Sequence, residues 1–475
     1  MKKILLALVP ALFMMACTKD LETLNVDPKK PLSVTSASLF TRAQHNFVDI
    51  ITSANVNRNV FRLIEQQWQE TTYIDESQYD FQTREIPDNF WDIFYRDVLN
   101  NFEASRKTMA VDITDPAQLK NQIAILDIME VYSWHYMVTT FGNVPYTEAL
   151  NTGNAFPKYD DALTVYRALL TRLDLDIAAL TVGQPSLGAA DAIYAGDPAQ
   201  WRKFANSLKL KMAITIADAD NALSRTAAES AIASGVFTAN TDNAKFPYVS
   251  ATPNTNPVWV DLVQSGRKDF VAASTITDIM NTLNDPRRPL FFTLDPTGNY
   301  SGGTPGRSSA YSNFSHPAVL ITTAPFPGNI LDYAEVQFLL AEARERGYNA
   351  GALTASAYYT AAVTASILDW GGTAADAATY LTQGSVNYLT ASGTYKEKIG
   401  TQKWLAFYNR GVDAWVDQRR LDFPVLPEAE DALSGFPNRL TYPVKEQNVN
   451  NVNRSAAAAA IGGDVVETKL FFDKN

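Results

Sequence analysis

The sequence predicts a mostly α-helical fold in which helical hairpins form a scaffold, interrupted by loop-rich insertions near residues 239–267 and 290–327. Three observations predict it. Apolar and aromatic residues recur at three- and four-residue spacing along most of the chain, the signature of one buried face per helix. Asp-Pro, Gly and Pro signals bound those runs. A chain of 475 residues with 46% apolar and 11% aromatic content can bury a large core and lies far from disordered compositions. Forty Lys plus Arg against 51 Asp plus Glu leave a net charge of -11, which disfavours a nucleic-acid or anionic-membrane surface as the main partner, because phosphates need cationic neutralisation.

The elements follow in chain order. Lys2 and Lys3 precede an apolar run from Ile4 to Met15, then Ala16 and Cys17. This is a charged n-region, a short h-region and a small residue. Twelve residues make a helix of about 18 Å, too short for a hydrocarbon core of roughly 30 Å, so residues 1–16 read as an export signal. Cys17 is the chain's single cysteine, and a small residue before it resembles a bacterial lipobox, with the Cys17 thiol acylated after cleavage. A lone cysteine forms no internal disulfide and no Cys-rich zinc site. Residues 17–34, with Asp27, Pro28 and Pro31, have neither helical nor strand period and read as a lipidated tether onto one domain, residues 35–475.

Helical spacing then joins Phe61, Ile64 and Trp68; Trp91, Phe94, Tyr95 and Val98; and Ile123, Leu126, Met129, Tyr132 and His135. Asp115-Pro116 and Asp197-Pro198 are placed as N-cap and N1, Gly142 and Pro145 end the third run, and Asp160 or Asp161 caps a helix carrying Val165, Leu169 and Leu173. Further helices are expected over 332–346, 352–369 and 402–416. Hairpins of this length suggest a repeat of about 34 residues, as in tetratricopeptide arrays, although no strict repeat signature is visible. Prolines 247, 253 and 257 exclude helix over 239–267, and the Pro- and Gly-rich stretch 290–327 is a long loop whose Tyr and Phe content argues for order. The alanine run after Ser455 reads as a low-complexity surface return.

Chemistry has little support in the residues. His45, His135 and His316 are scattered without partners at metal-ligand spacing, and no nucleophile elbow, P-loop or dinucleotide fingerprint is present. Carboxylate pairs such as Asp160 with Asp161 are what 51 acidic residues give by chance. The reading is no enzyme, no metal and no cofactor. Calcium on loop carbonyls leaves no sequence trace and is not predicted. Among aromatics, Trp68, Trp91, Trp134, Trp201, Trp404 and Trp415 fall in apolar helical patterns and read as core. Trp370, beside Gly371 and Gly372, stays open, and Trp259 follows Pro257 with no helical face to claim it. The loop 71–88 carries Tyr73, Asp75, Tyr79, Phe81 and Arg84, and the loop 299–314 carries Tyr300, Arg307, Tyr311 and Phe314. Sugars offer C–H patches that stack on rings and hydroxyls that need carboxylates, amides or guanidinium groups. The expected ligand residues are therefore Tyr73, Asp75, Tyr79, Phe81, Trp259, Tyr300, Arg307 and Tyr311, with peptides as a second class such a surface suits.

An ordered set of segments resembles one family. Leu24-Asn-Val-Asp-Pro-Lys-Lys-Pro31 is similar to its tether, Phe90-Trp-Asp-Ile-Phe-Tyr95 to its second helix pair, and Phe141-Gly-Asn-Val-Pro145 to a turn after its third long helix. Trp201-Arg-Lys-Phe-Ala-Asn206, Asn284-Asp-Pro-Arg287, Tyr333-Ala-Glu-Val336 and Ala341-Glu-Ala343 match in spacing. Gln402-Lys-Trp404, then Ala414-Trp-Val-Asp-Gln-Arg-Arg420, is the most specific match, and Tyr442-Pro-Val-Lys-Glu446 closes the set. From Cys17 to Asn475 the chain resembles the SusD/RagB outer-membrane lipoproteins of Bacteroidota, in the SusD-like branch. The resemblance implies a tetratricopeptide-like superhelical scaffold with an irregular half packed on it, and a lipid anchor in the outer membrane facing outward. It implies a SusC-like TonB-dependent transporter as partner, receiving an oligosaccharide ligand. A RagB-type peptide ligand, or a structural transporter subunit, are the alternatives the resemblance leaves. It also implies that Gln402, Trp404, Trp415, Arg419 and Arg420 hold helices together. The run Lys19, Asp20, Leu21, Glu22 is a broken version of the acidic stretch that accompanies surface display.

Overall fold

Asp and Thr side chains open most of the long helices of this protein, whose computed structural model describes residues 34–474. The signal, the lipidation at Cys17 and nearly all of the tether therefore lie outside the described residues. In chain order the helices are α1 (Ser36–Thr52), α2 (Phe61–Ile64), α3 (Ile86–Asp92), α4 (Asn100–Asp112), α5 (Pro116–Phe141), α6 (Ala162–Ala179), α7 (Pro198–Thr215), α8 (Asn221–Ser234) and α9 (Pro257–Trp259). They continue as α10 (Ser274–Thr282), α11 (Arg288–Phe291), α12 (Tyr333–Glu345), α13 (Ala355–Asp369), α14 (Ala374–Leu381), α15 (Tyr395–Ala406), α16 (Gly411–Leu421), α17 (Val444–Val449) and α18 (Asn451–Ala460). A wider-wound stretch, Ile93–Leu99, joins α3 to α4.

The caps fall where sequence put them. Asp115 accepts from the Ala117 amide, Asp161 from Thr164 and Asp197 from Ala199, each worth about 1 kcal/mol to its helix. Helix α1 pairs with α4, α5 with α6, α7 with α8, α12 with α13 and α15 with α16, and each pair leans on the next through α4 and α5, α6 and α7, α7 and α12, and α12 and α15. That succession is the expected hairpin scaffold.

Its centre is polar. Lys211 of α7 sits between Glu335 of α12 at 2.9 Å and Asp413 of α16, while Arg410 reaches Asp332 at 2.9 Å, Glu335 at 2.7 Å and Asp413 at 2.8 Å. Tyr136 of α5 donates to Asp413 at 3.0 Å. Four hairpins thus meet on one buried charge cluster, where matched ions and hydrogen bonds offset desolvation. The motif residues hold helices together as implied. Gln402 donates to the Tyr380 hydroxyl at 2.8 Å, Trp415 to the Pro437 carbonyl at 2.6 Å, Arg419 to the Thr139 carbonyl at 2.9 Å, and Arg420 pairs with Glu342. Trp404 is buried.

Several elements differ from the sequence reading. Trp68 lies on a strand, β1 (Trp68–Glu70), rather than a helix, because β3 (Phe270–Ala272) pairs with it. The run expected as one helix over 402–416 is two, α15 and α16, broken at Asn409 with φ 67°. Within 239–267 the chain forms β2 (Ala244–Phe246), which pairs with β4 (Gly328–Leu331), then α9 and a wide turn, Val260–Gln264. Prolines 247 and 253 do exclude helix, but Pro257 occupies N1, where its missing N–H costs nothing. The alanine run is helical in α18, and behind it Leu470 and Phe472 return to the core. The loop-rich half has its own apolar cluster, including Trp68, Val258, Phe270, Phe291, Trp404 and Tyr408, packed against α15 and α16.

Candidate functional site

The pairing of β1 with β3 builds the site. Trp68 faces Ala272, Gln69 faces Val271 and Glu70 faces Phe270, antiparallel. The loop leaving Glu70 and the loop arriving at Phe270 must therefore run side by side, although they are about 200 residues apart in sequence. The Thr71 amide donates to the Asp269 carbonyl at 2.9 Å and the Thr71 hydroxyl to the Lys268 carbonyl at 2.7 Å. The third loop is tied to the same residue, since the Ser308 hydroxyl donates to the Thr71 carbonyl at 2.6 Å. Gly302 and Gly303 permit that close approach. A Cβ on Gly302 would stand 2.2 Å from the Ala273 carbonyl carbon, and one on Gly303 2.2 Å from Ser309 Oγ.

Between the first two loops and the turn after α1 lies a cavity of about 270 Å³, lined by Asn55, Asn57, Tyr73, Arg84, Arg267 and Asp269 among others. Tyr73 is 62% exposed. The Arg84 guanidinium stands 5.9 Å from its ring centroid and is fixed from behind by Glu76 at 2.7 Å and Asp75 at 3.3 Å. Arg267 pairs with Asp269 across the rim. Deeper in the wall the Glu70 and Glu76 carboxyls lie against each other, and Ser77 donates to Glu70 through its amide at 3.0 Å and its hydroxyl at 2.9 Å. Burial first, then the neighbouring Glu76 charge, pushes Glu70 up to about 9, and burial raises Glu76. One proton is thus kept between the two at neutral pH. Burial also raises Asp261, on the same wall. The site offers one accessible ring flanked by fixed donors and acceptors of both signs.

The expected ligand residues divide. Tyr73 lines the cavity, and Asp75 supports it indirectly by holding Arg84. Tyr79 and Phe81 are buried, 5% and 1% exposed, and do not line the cavity. Tyr79 takes φ 68° at the end of a short 3-10 turn, which points its ring inward against Phe81 and Phe436. Trp259 is half-buried at the end of α9, outside the cavity lining. Tyr300 is half-buried against the second apolar cluster, with the Arg288 guanidinium 5.6 Å from its ring. Arg307 pairs with Glu430, and Tyr311 stacks on His316 at 3.7 Å with Lys268 5.3 Å from its ring. The expected platform of several rings is one ring in a polar cleft. Sequence reasoning missed Asn55, Asn57, Asp261, Arg267 and Asp269, although Asp261 and Arg267 fall within the insertion near 239–267.

Among the described residues no group of three or more His, Cys, Asp or Glu is arranged to hold a metal ion, and no helix is long and apolar enough to cross a membrane. Residues 28–443 match a family described as starch-binding and associating with the outer membrane. No curated protein matches the chain. Among solved structures, a chitin-binding protein is 25% identical, with TM-score 0.78 over 93% of this chain and 100% of its own. A chitin-binding SusD homolog from Flavobacterium johnsoniae is 23% identical, with TM-score 0.79 over 93% and 99%. A SusD-like protein from Bacteroides thetaiotaomicron is 24% identical, with TM-score 0.78 over 93% and 99%.

Proposed function

The chain belongs to the SusD-like family, and from that premise we propose that it is a cell-surface lipoprotein, anchored through Cys17, that captures oligosaccharide and delivers it to a SusC-type TonB-dependent transporter. It makes and breaks no covalent bond in its ligand. The observation that carries the reading is the Tyr73 cavity: an exposed ring for a sugar's C–H face, with Asn55, Asn57, Arg84, Arg267 and Asp269 placed for its hydroxyls. Charges at the rim are paired, which favours a neutral ligand over an ionic one. The carboxyl pair Glu70 and Glu76 is in contact, whereas two-carboxylate glycoside hydrolysis needs a separation of about 5 to 10 Å. The rigid hairpin scaffold behind the cleft holds the loops in place without ligand, which limits the ordering entropy of binding.

Calorimetric titration of the chain with starch and chitin oligosaccharides and with mixed peptides, each mixture then checked for cleavage, tests the proposal. Saturable heat with one sugar class and intact ligand is the expected result. Binding of peptides alone would move the ligand to the RagB type, silence with every ligand would leave a structural role, and cleavage would overturn the non-enzymatic reading.

A further inference from the structure

Trp370, which the sequence left open, follows Asp369 at the end of α13 and lies outside the lining of the Tyr73 cavity. Gly371 follows with φ 95°, and a Cβ on Gly372 would come 2.7 Å from Ile367, so the chain doubles back and leaves the indole beside the helix end. There it lines a cavity of about 330 Å³, within the roughly 300–1,000 Å³ of small-molecule sites. One wall is aromatic. Trp370 stacks with Phe326 at 6.0 Å and 29°, and sets its edge on Phe291 at 4.7 Å. Phe291 in turn stacks on Tyr408 at 4.1 Å, and the Tyr408 hydroxyl is fixed between the Trp68 indole N–H and the Phe291 carbonyl, both at 3.0 Å. The wall is braced from behind.

The rest of the lining is polar and electrically balanced. Lys245 Nζ lies 2.7 Å from Asp369 Oδ1, which also accepts from Asn243 at 3.0 Å. Arg410, also in the lining, is matched by Asp332, Glu335 and Asp413. Among the described residues no hydrogen bond reaches Asp369 Oδ2 or leaves Trp370 Nε1. A cavity without surplus charge is a poor site for an anion or a peptide terminus. A lysine and a carboxylate side by side offer a donor and an acceptor to neighbouring hydroxyls, in the same cavity as rings that suit a C–H face.

We infer that this cavity is a second ligand site, separate from the Tyr73 cleft, that holds one neutral glycosyl residue against the Trp370 and Phe326 rings with the Lys245–Asp369 pair beside it. The two sites flank one rigid turn. Ile51 and Thr52 border this cavity, Ala54 and Asn55 border the other, and Arg62 grips the turn between them through the Thr52 and Ser53 carbonyls at 2.7 and 2.6 Å. The choice of a sugar rests on the glycan reading above; the existence of the site does not.

The test labels the full chain with 5-fluorotryptophan, identifies the Trp370 resonance among the eight tryptophans with Trp370→Phe, and titrates glucose and N-acetylglucosamine to about 100 mM by fluorine NMR. The Trp370 signal is expected to shift saturably. Leu320→Arg should weaken that titration about tenfold by placing a guanidinium in the mouth, and Leu320, 41% exposed, can change without disturbing the core. Tyr73→Ala should leave it unchanged. A Trp370 signal unmoved by either sugar overturns the inference even where oligosaccharides still give heat by calorimetry, and absence of that heat is the separate failure of the capture reading. A shift with indole but with neither sugar overturns the ligand class.

Discussion

Replacing Tyr73 by alanine tests the cleft most directly. The ring is 62% exposed and the loop beneath it is held by other groups, Arg84 on Glu76 and Asp75, and Thr71 on Asp269, so its loss should change folding stability by less than about 0.5 kcal/mol. Its contribution to binding is larger. A sugar face laid on one ring removes about 50 Å² of apolar surface, which at about 25 cal/mol per Å² gives about 1.2 kcal/mol. Ring-specific attraction raises this to about 1–2 kcal/mol, a loss of roughly 5- to 30-fold in affinity. Calorimetry with the best-binding oligosaccharide reads the change, and thermal unfolding of the same sample checks the fold. Tyr311→Ala is the control, because that ring is stacked on His316 away from the cavity lining. An unchanged Kd for Tyr73→Ala, or an equal loss for Tyr311→Ala, would refute the placement of the ligand on Tyr73.

Three further outcomes are expected. Lys211→Met leaves Glu335 and Asp413 short of a buried cation and should lower stability by about 3–5 kcal/mol, seen as an earlier guanidinium unfolding midpoint; an unmoved midpoint would mean Arg410 alone balances the cluster. Glu70 holds its proton up to about pH 9 when folded but only to about 4.5 when unfolded, so the folded state binds more protons between these values and its stability falls as pH rises through them; Glu70→Gln should flatten that slope, and an identical pH profile would show that the pair is ionised. Cys17→Ala should move the chain from the membrane fraction to the soluble fraction, and retention in the membrane would disprove lipid anchoring there.

Much of the scaffold was legible because it is local. Helix spacing, Asp-Pro caps and terminating glycines act within one or two turns, so α5, α6, α7, α12 and α13 lie within a few residues of their expected bounds. The motif set placed the buried contacts of Gln402, Trp415, Arg419 and Arg420, since a family motif records packing. The candidate site was half legible. Two of its loops were marked by aromatic and proline content, yet of the eight ligand residues expected only Tyr73 lines the cavity.

The sequence by itself determined a helical-hairpin scaffold and the positions of the loops after Glu70 and before Gly328. Only the tertiary structure decided which side of each loop faces water. Trp68 became a strand residue because Phe270–Ala272, some 200 residues on, pairs antiparallel with Trp68–Glu70, and the same register set Tyr73 beside Asp269. Tyr79 and Phe81, six and eight residues beyond Tyr73, turned inward because a left-handed turn and the Phe436 ring offered them burial. An aromatic side chain gains from burial and from ligand stacking through the same apolar surface, so composition cannot tell the two apart; the choice is made by whichever distant segment arrives to cover it.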